Sequence, residues 1–183
     1  MSKKKILFAA VDIGWRIEHY SIFIKKNTTE AILIDSFVKH AVSKSQYRTN
    51  YTYHIQYDKL NALLRWLFSF FFFLFATIKY DTFYFLSGET ILTRKLRRFE
   101  FAVYKLFNKK IIMHFVGSDI RSPEYVIWKE ENILQYINND IKNDKTTNWQ
   151  KKLISDALEF SYETFVSTPD LLSIIPTAKY IPV

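Results

Sequence analysis

The sequence predicts an α/β domain, a doubly wound and mainly parallel sheet of Rossmann-like type, spanning residues 1–183. Three observations carry that reading. Short apolar runs closed by glycine, serine or aspartate recur along the chain, the pattern of strands buried on both faces. Between them lie segments with apolar residues at helical spacing. The composition suits a packed core, with 49% hydrophobic and 18% aromatic residues but only 3 glycines and 4 prolines, which argues against loop-rich or disordered structure.

The elements follow in order. Lys5–Val11 (KILFAAV) reads as a strand ending in the turn Asp12-Ile13-Gly14, Trp15–Lys26 as a helix, and Ala31–Val38 as a second strand. The Tyr-rich stretch Ser43–Tyr53 reads as a loop, and Asp58–Ile78 as a long apolar helix. Within it, Trp66–Ile78 (WLFSFFFFLFATI) is bracketed by Arg65 and Lys79. That run is well short of the roughly 20 apolar residues of a spanning helix. Three readings remain: a buried helix of the doubly wound sheet, a segment lying at a membrane interface, and last a true span. Thr82–Leu86 is a strand closed by Ser87-Gly88. Leu92, Leu96, Phe99, Val103 and Leu106 then mark an amphipathic helix, with Arg94, Lys95, Arg97, Arg98 and Lys105 on its polar face.

Lys110–Val116 is a strand closed by Gly117, Glu124–Asn138 a helix, and Asn138–Asn148 a polar loop or lid. Trp149, Leu153, Ala157 and Phe160 mark another helix, and Thr164–Ser167 a short strand. Pro169 and Asp170 open a brief helix that Pro176 ends, and Lys179–Ile181 begins one more strand. Strands alternating with helices imply right-handed crossovers, and in such sheets ligands gather at the C-terminal ends of the strands.

The net charge of +8, from 26 basic against 18 acidic residues, favours anionic partners such as phosphorylated substrates or anionic lipid. Nucleic acid is not expected, because no recognition motif accompanies the charge. The absence of cysteine excludes disulfides, a thiolate zinc site and a cysteine nucleophile. Lys3-Lys4-Lys5 and the short run Ile6–Val11, closed by Asp12, do not make a secretory leader. The turn VDIGWR holds a single glycine, Gly14, so the dinucleotide fingerprint is missing, as are a P-loop, a nucleophile elbow and metal-ligand spacing. No metal and no cofactor are expected.

Gly14 either brings helix N-terminal amides close to a phosphate or simply permits its turn. The richest stretch is HFVGSDIRSPEY, His114–Tyr125. Gly117 allows close backbone approach to a ligand, Ser118 and Asp119 can accept hydrogen bonds from sugar hydroxyls, and Arg121 can pair with a phosphate or with Asp119. The alternative is a helix cap with a structural Asp–Arg pair. Strand alternation puts His114 and Val116 on one face. Catalytic residues are not assigned; His114 and Asp119 are the candidates.

Three segments, KKILFAAVDIGWR, KKIIMHFVGSDIR and TFVSTPDLLSIIPTAKYIPV, occur in that order. Together they resemble the N-terminal, acceptor-side domain of GT-B glycosyltransferases of family four, many of which build capsular or lipopolysaccharide glycans. The resemblance implies a transferase that takes a nucleotide-sugar as donor and a glycan or lipid-linked acceptor. It implies a cytoplasmic location, including the inner face of the plasma membrane, and contact with an anionic membrane surface. Gly14 would approach the donor phosphates, Gly117, Ser118 and Asp119 would line the cleft, and Arg121 would support Asp119 or a phosphate. The family often carries histidine where this chain has Val116; here the histidine is His114. The family's C-terminal donor domain is absent from residues 1–183; it would act in cis or in trans, and this half alone would be inactive. The rival expectation is a non-catalytic binding module at a membrane surface, or the partner subunit of a split transferase.

Overall fold

A computed structural model describes residues 4–12, 16–28, 32–41, 51–55, 57–117, 119–121 and 144–182. In chain order the elements are β1 (Lys4–Asp12), α1 (Arg16–Asn27), β2 (Ile32–Ala41), β3 (Tyr53–His54), α2 (Ala62–Lys79), β4 (Thr82–Leu86), α3 (Arg97–Leu106), β5 (Lys110–Phe115), α4 (Asp144–Phe160), β6 (Glu163–Val166) and β7 (Lys179–Tyr180). Short 3-10 turns occupy Tyr57–Lys59, Arg94–Leu96 and Pro169–Ser173.

The strands form one sheet in the order β3-β2-β1-β4-β5-β6-β7, and every pairing is parallel. The winding reverses between β1 and β4, as in a Rossmann-like fold. Alternation along β1 feeds two cores. Leu7 and Ala9 join Phe37, Phe83, Phe85, Met113 and Phe115 on the side of α2, α3 and α4. Phe8 joins Ile34, Val38 and Leu86 on the side of α1, where Ile17 packs. The doubly wound α/β expectation holds.

Several boundaries and faces differ from expectation. Tyr53, read as the end of a loop, and His54, for which the sequence predicts no element, pair with Phe37 and Val38 as an edge strand. The long helix breaks at Asn61, whose side chain caps α2 by accepting from Leu64 N at 2.9 Å. Asp144–Asn148, read as part of a lid, belongs to α4. The expected helix Glu124–Asn138 lies outside the described residues.

α2 is neither a buried helix nor an ordinary amphipathic one. Its buried residues are Ser69, Phe73, Ala76 and Thr77, facing the sheet. Ser69 hydrogen-bonds the Tyr57 hydroxyl there, and Phe72, half-buried, stacks on Phe37 at 3.9 Å between ring centroids. Leu64, Phe68, Phe71, Phe75 and Ile78 point outward, Phe71 being 64% exposed and Ile78 85% exposed. At its C-terminus Lys79 anchors the helix, donating to Asp35 at 2.9 Å and to Tyr53 Oη at 2.8 Å.

α3 is rotated from its expected orientation. It buries Arg97, Glu100, Phe101 and Tyr104 and leaves Phe99 and Leu106 exposed. The cause is polar. Arg97 donates through Nε to Asp156 of α4 at 3.0 Å, while Glu100 accepts from the amides of Ile91 and Leu92 at 3.0 and 2.7 Å. The expected basic face is largely committed. Arg98 pairs with Glu159 at 2.7 Å, and Arg94 with Glu89 at 2.7 Å.

Arg97 and Asp156 are almost wholly buried, so removing the carboxylate strands a guanidinium without water. Asp156→Ala should cost about 3–5 kcal/mol in urea unfolding. Arg98→Ala, at a side chain 60% exposed, should cost below ~1 kcal/mol in the same assay.

Candidate functional site

A parallel sheet sends every strand's C-terminal end to one edge, and the candidate residues assemble there. Gly14 and Ser118 lie outside the described residues. Asp119 is buried, and its carboxylate accepts from Val116 N at 3.1 Å and Gly117 N at 2.8 Å. Burial pushes its pKa up, and these backbone donors pull against the rise. It closes the turn after β5 with its own backbone, and that geometry turns it away from an incoming hydroxyl.

Arg121 does not pair with Asp119. It reaches the loop after β6, where Nε and Nη2 grip the two oxygens of Asp170 at 2.8 and 3.1 Å and Nη2 also donates to Thr168 Oγ1 at 2.8 Å. A two-toothed guanidinium–carboxylate pair is strong and directional, and it draws the Asp170 carboxyl down to about 2. Gly117 makes room for it. A Cβ there would sit 2.5 Å from Arg121 Nη1, and φ at Gly117 is 138°. The glycine therefore serves close approach of this chain's own arginine.

His114 is fully buried on β5, on the α1 side of the sheet, together with Val116 as alternation requires. Tyr84 Oη lies 2.6 Å from its Nδ1 and Ser167 Oγ 2.9 Å from its Nε2, and the Tyr20 ring stacks on it at 5.7 Å. Burial first, and Arg16 second, lower its pKa to about 4. His114 is thus a neutral, doubly bonded joint between β4, β5 and the loop after β6. Proton transfer with a substrate would require opening that joint.

Open space lies on the other side, where α2, α3 and α4 present their N-terminal ends to the same edge. A cleft of about 370 Å³ is lined by Lys39, Tyr57, Arg65, Trp66, Glu89 and Arg94, among others. A second, of about 670 Å³, shares Arg94 and adds Lys95, Arg98, Trp149, Lys152 and Asp156. Arg94 lies over the Trp149 ring at 4.1 Å. Lys39 is buried and donates to the carbonyls of Thr90 and Leu92, the latter at 2.9 Å. Burial brings its pKa down to about 8 against the pull of Glu100 and Glu89. Cations beside aromatic rings suit an anionic group carried on a sugar or a lipid. Among the described residues no cluster of His, Asp and Glu could hold a metal ion.

The sequence reading missed Lys39, Glu100 and Trp149. The available signal was a charge out of pattern: Lys39 follows the apolar run AILIDSFV, and Glu100 is the one acid in RKLRRFEFAVYK. Comparison of the chain with protein-family models and with curated sequences finds no significant match.

Two measurements test this geometry. The native state resists the proton that the unfolded chain takes up at His114 below pH 6.5. Stability should therefore fall as pH drops from 6.5 to about 4, by at most about 1.4 kcal/mol per pH unit from this group. His114→Gln should remove that component from urea midpoints recorded across the range. Gly117→Ala should destabilise by about 1–3 kcal/mol through its φ and the displaced guanidinium.

Proposed function

We propose that this domain is the acceptor-side half of a glycosyltransferase that moves a sugar from a nucleotide-sugar to a glycan or lipid-linked acceptor in surface polysaccharide biosynthesis. The observation that carries the reading is the meeting of the two segments in which the resemblance is strongest. KKIIMHFVGSDIR and TFVSTPDLL lie side by side at the ligand-binding edge of a Rossmann-like sheet. They are joined there by the pair Arg121–Asp170 and by the contact of His114 with Ser167.

The two clefts that share Arg94 supply the place for an acceptor. Lys39, Arg65 and Arg94 offer positive charge to a phosphate, and Trp66 and Trp149 offer flat faces to sugar rings. The cleft carboxylates are paired, Glu89 with Arg94 at 2.7 Å and Asp156 with Arg97 at 2.9 Å. In this reading the acceptor half holds and orients, and a second Rossmann domain, in the same polypeptide or on a partner, holds the nucleotide. Rate enhancement then depends on closing the two halves over a water-excluded cleft.

Calorimetry with the purified chain should show binding of a saccharide linked to a lipid phosphate and none of nucleotide-sugars. Arg94→Gln should weaken acceptor binding roughly tenfold, the usual scale for losing one charged hydrogen bond. Radiolabelled transfer should be undetectable until a donor domain is added. Robust transfer by the chain alone, or binding of nucleotide-sugar without acceptor, would overturn the reading.

A further inference from the structure

We infer that α2 is a membrane-docking helix that lies along a bilayer surface with its outer face among the lipid chains. The inference stands on the helix itself and does not depend on the transferase reading.

α2 carries two interleaved stripes of the same helical spacing. The inner one runs through Ser69, Phe73 and Ala76 and is buried. The outer one, Leu64, Phe68, Phe71, Phe75 and Ile78, is 39–85% exposed. Leu63, Trp66 and Leu74, also exposed, widen it. Both faces are apolar: Ser69 and Thr77 share the sheet side with Phe73 and Ala76, while large aromatic side chains also face outward. Phe73 lies 6.2 Å from Phe99, which sets α3 beside α2, and Phe99 and Leu106 of α3 are exposed as well. So much exposed apolar side chain on neighbouring helices marks a contact with something apolar.

The charge pattern selects the occupant. Across α2 and α3 the only acidic residue is Glu100, which is fully buried, so no carboxylate faces solvent from either helix, and the acid just past α2, Asp81, lies within 4.0 Å of Lys109. Exposed Lys59, Lys95 and Lys105 flank the patch, and Trp66 follows Arg65 at the end of α2, the residue types that settle at headgroup level. A two-fold contact between copies would bring a second set of these cations to the same surface and no solvent-facing carboxylate from either helix to meet them. Anionic headgroups neutralise them.

The helix lies on the bilayer and does not cross it. Withdrawing α2 from the sheet would uncover Phe37 and Tyr104, which Phe72 and Phe73 cover at 3.9 and 5.6 Å. An amphipathic helix in this position buries its apolar face to a depth of about 5–10 Å.

Flotation of the full chain tests this, using vesicles of phosphatidylcholine alone and of phosphatidylcholine with phosphatidylglycerol. The chain should float with both, more with the anionic vesicles, and remain on these at about 1 M salt, where surface charge is screened. Lipids brominated near the headgroup should quench a tryptophan signal that Trp66→Phe abolishes. The triple variant F68Q/F71Q/I78Q changes only exposed positions. It should melt no lower than wild type and lose vesicle partitioning by about tenfold or more per side chain removed. Wild-type protein that stays unbound, or a triple variant that is correctly folded and floats equally well, overturns the inference. So does a wild-type dimer, seen by sedimentation equilibrium, that the triple variant dissolves: the outer face would then belong to a second copy.

Discussion

Parallel strands cannot be joined by hairpins, and the crossovers into β2, β4, β5 and β6 carry the chain back along α1, α2, α3 and α4. With seven strands all parallel, that constraint fixes the polarity of everything else. Each helix that precedes a strand starts at the edge where the previous strand ended. The N-terminal ends of α2, α3 and α4 therefore lie at the edge where β3, β4 and β5 end. The clefts around Arg94 sit among those ends, and the partial positive charge of helix N-termini adds to the side-chain cations.

The edge is held by buried charge on one side and by neutral hydrogen bonding on the other. Glu100 takes the amides of Ile91 and Leu92, and Lys39 takes the carbonyls of Thr90 and Leu92. Two opposite charges thus grip one short stretch of backbone from both its donor and acceptor sides. Burial raises the pKa of Glu100 and lowers that of Lys39, the directions expected when ions leave water. On the α1 face the same task of joining loops falls to His114, between the hydroxyls of Tyr84 and Ser167. The loops that frame the candidate site are consequently tied to the core of the sheet.

Strands were legible in the sequence because burial on both faces writes them as continuous apolar runs. β4 runs over Thr82–Leu86 as read, and β5 begins at Lys110 as read. β3 was not legible, since two residues, Tyr53 and His54, give no period to detect. Helix faces were harder still. On α3 the stripe through Phe99, Val103 and Leu106 and the one through Arg97, Phe101 and Tyr104 fit the same geometry. The buried choice was settled by Asp156, 59 residues from Arg97 along the chain. The site shows the same limit. Gly117, Asp119 and Arg121 stand out locally, but the partner of Arg121 is 49 residues away, and nothing local marks Asp170 as that partner.

Among the described residues the outward stripe of α2 is packed at Phe75, which meets Tyr53 at 5.9 Å, and is exposed at Phe68, Phe71 and Ile78, and this governs how its sequence can drift. Interior positions must match the shapes around them to within a methylene. Ser69, Phe73, Ala76 and Thr77 are therefore confined to few residue types. A fluid environment such as the proposed bilayer imposes no shape. At Phe68, Phe71 and Ile78 it would make leucine, isoleucine, phenylalanine and methionine interchangeable as long as hydropathy is kept. One helix thus carries two substitution regimes, alternating every three or four residues, the inner one ruled by volume and the outer one by polarity.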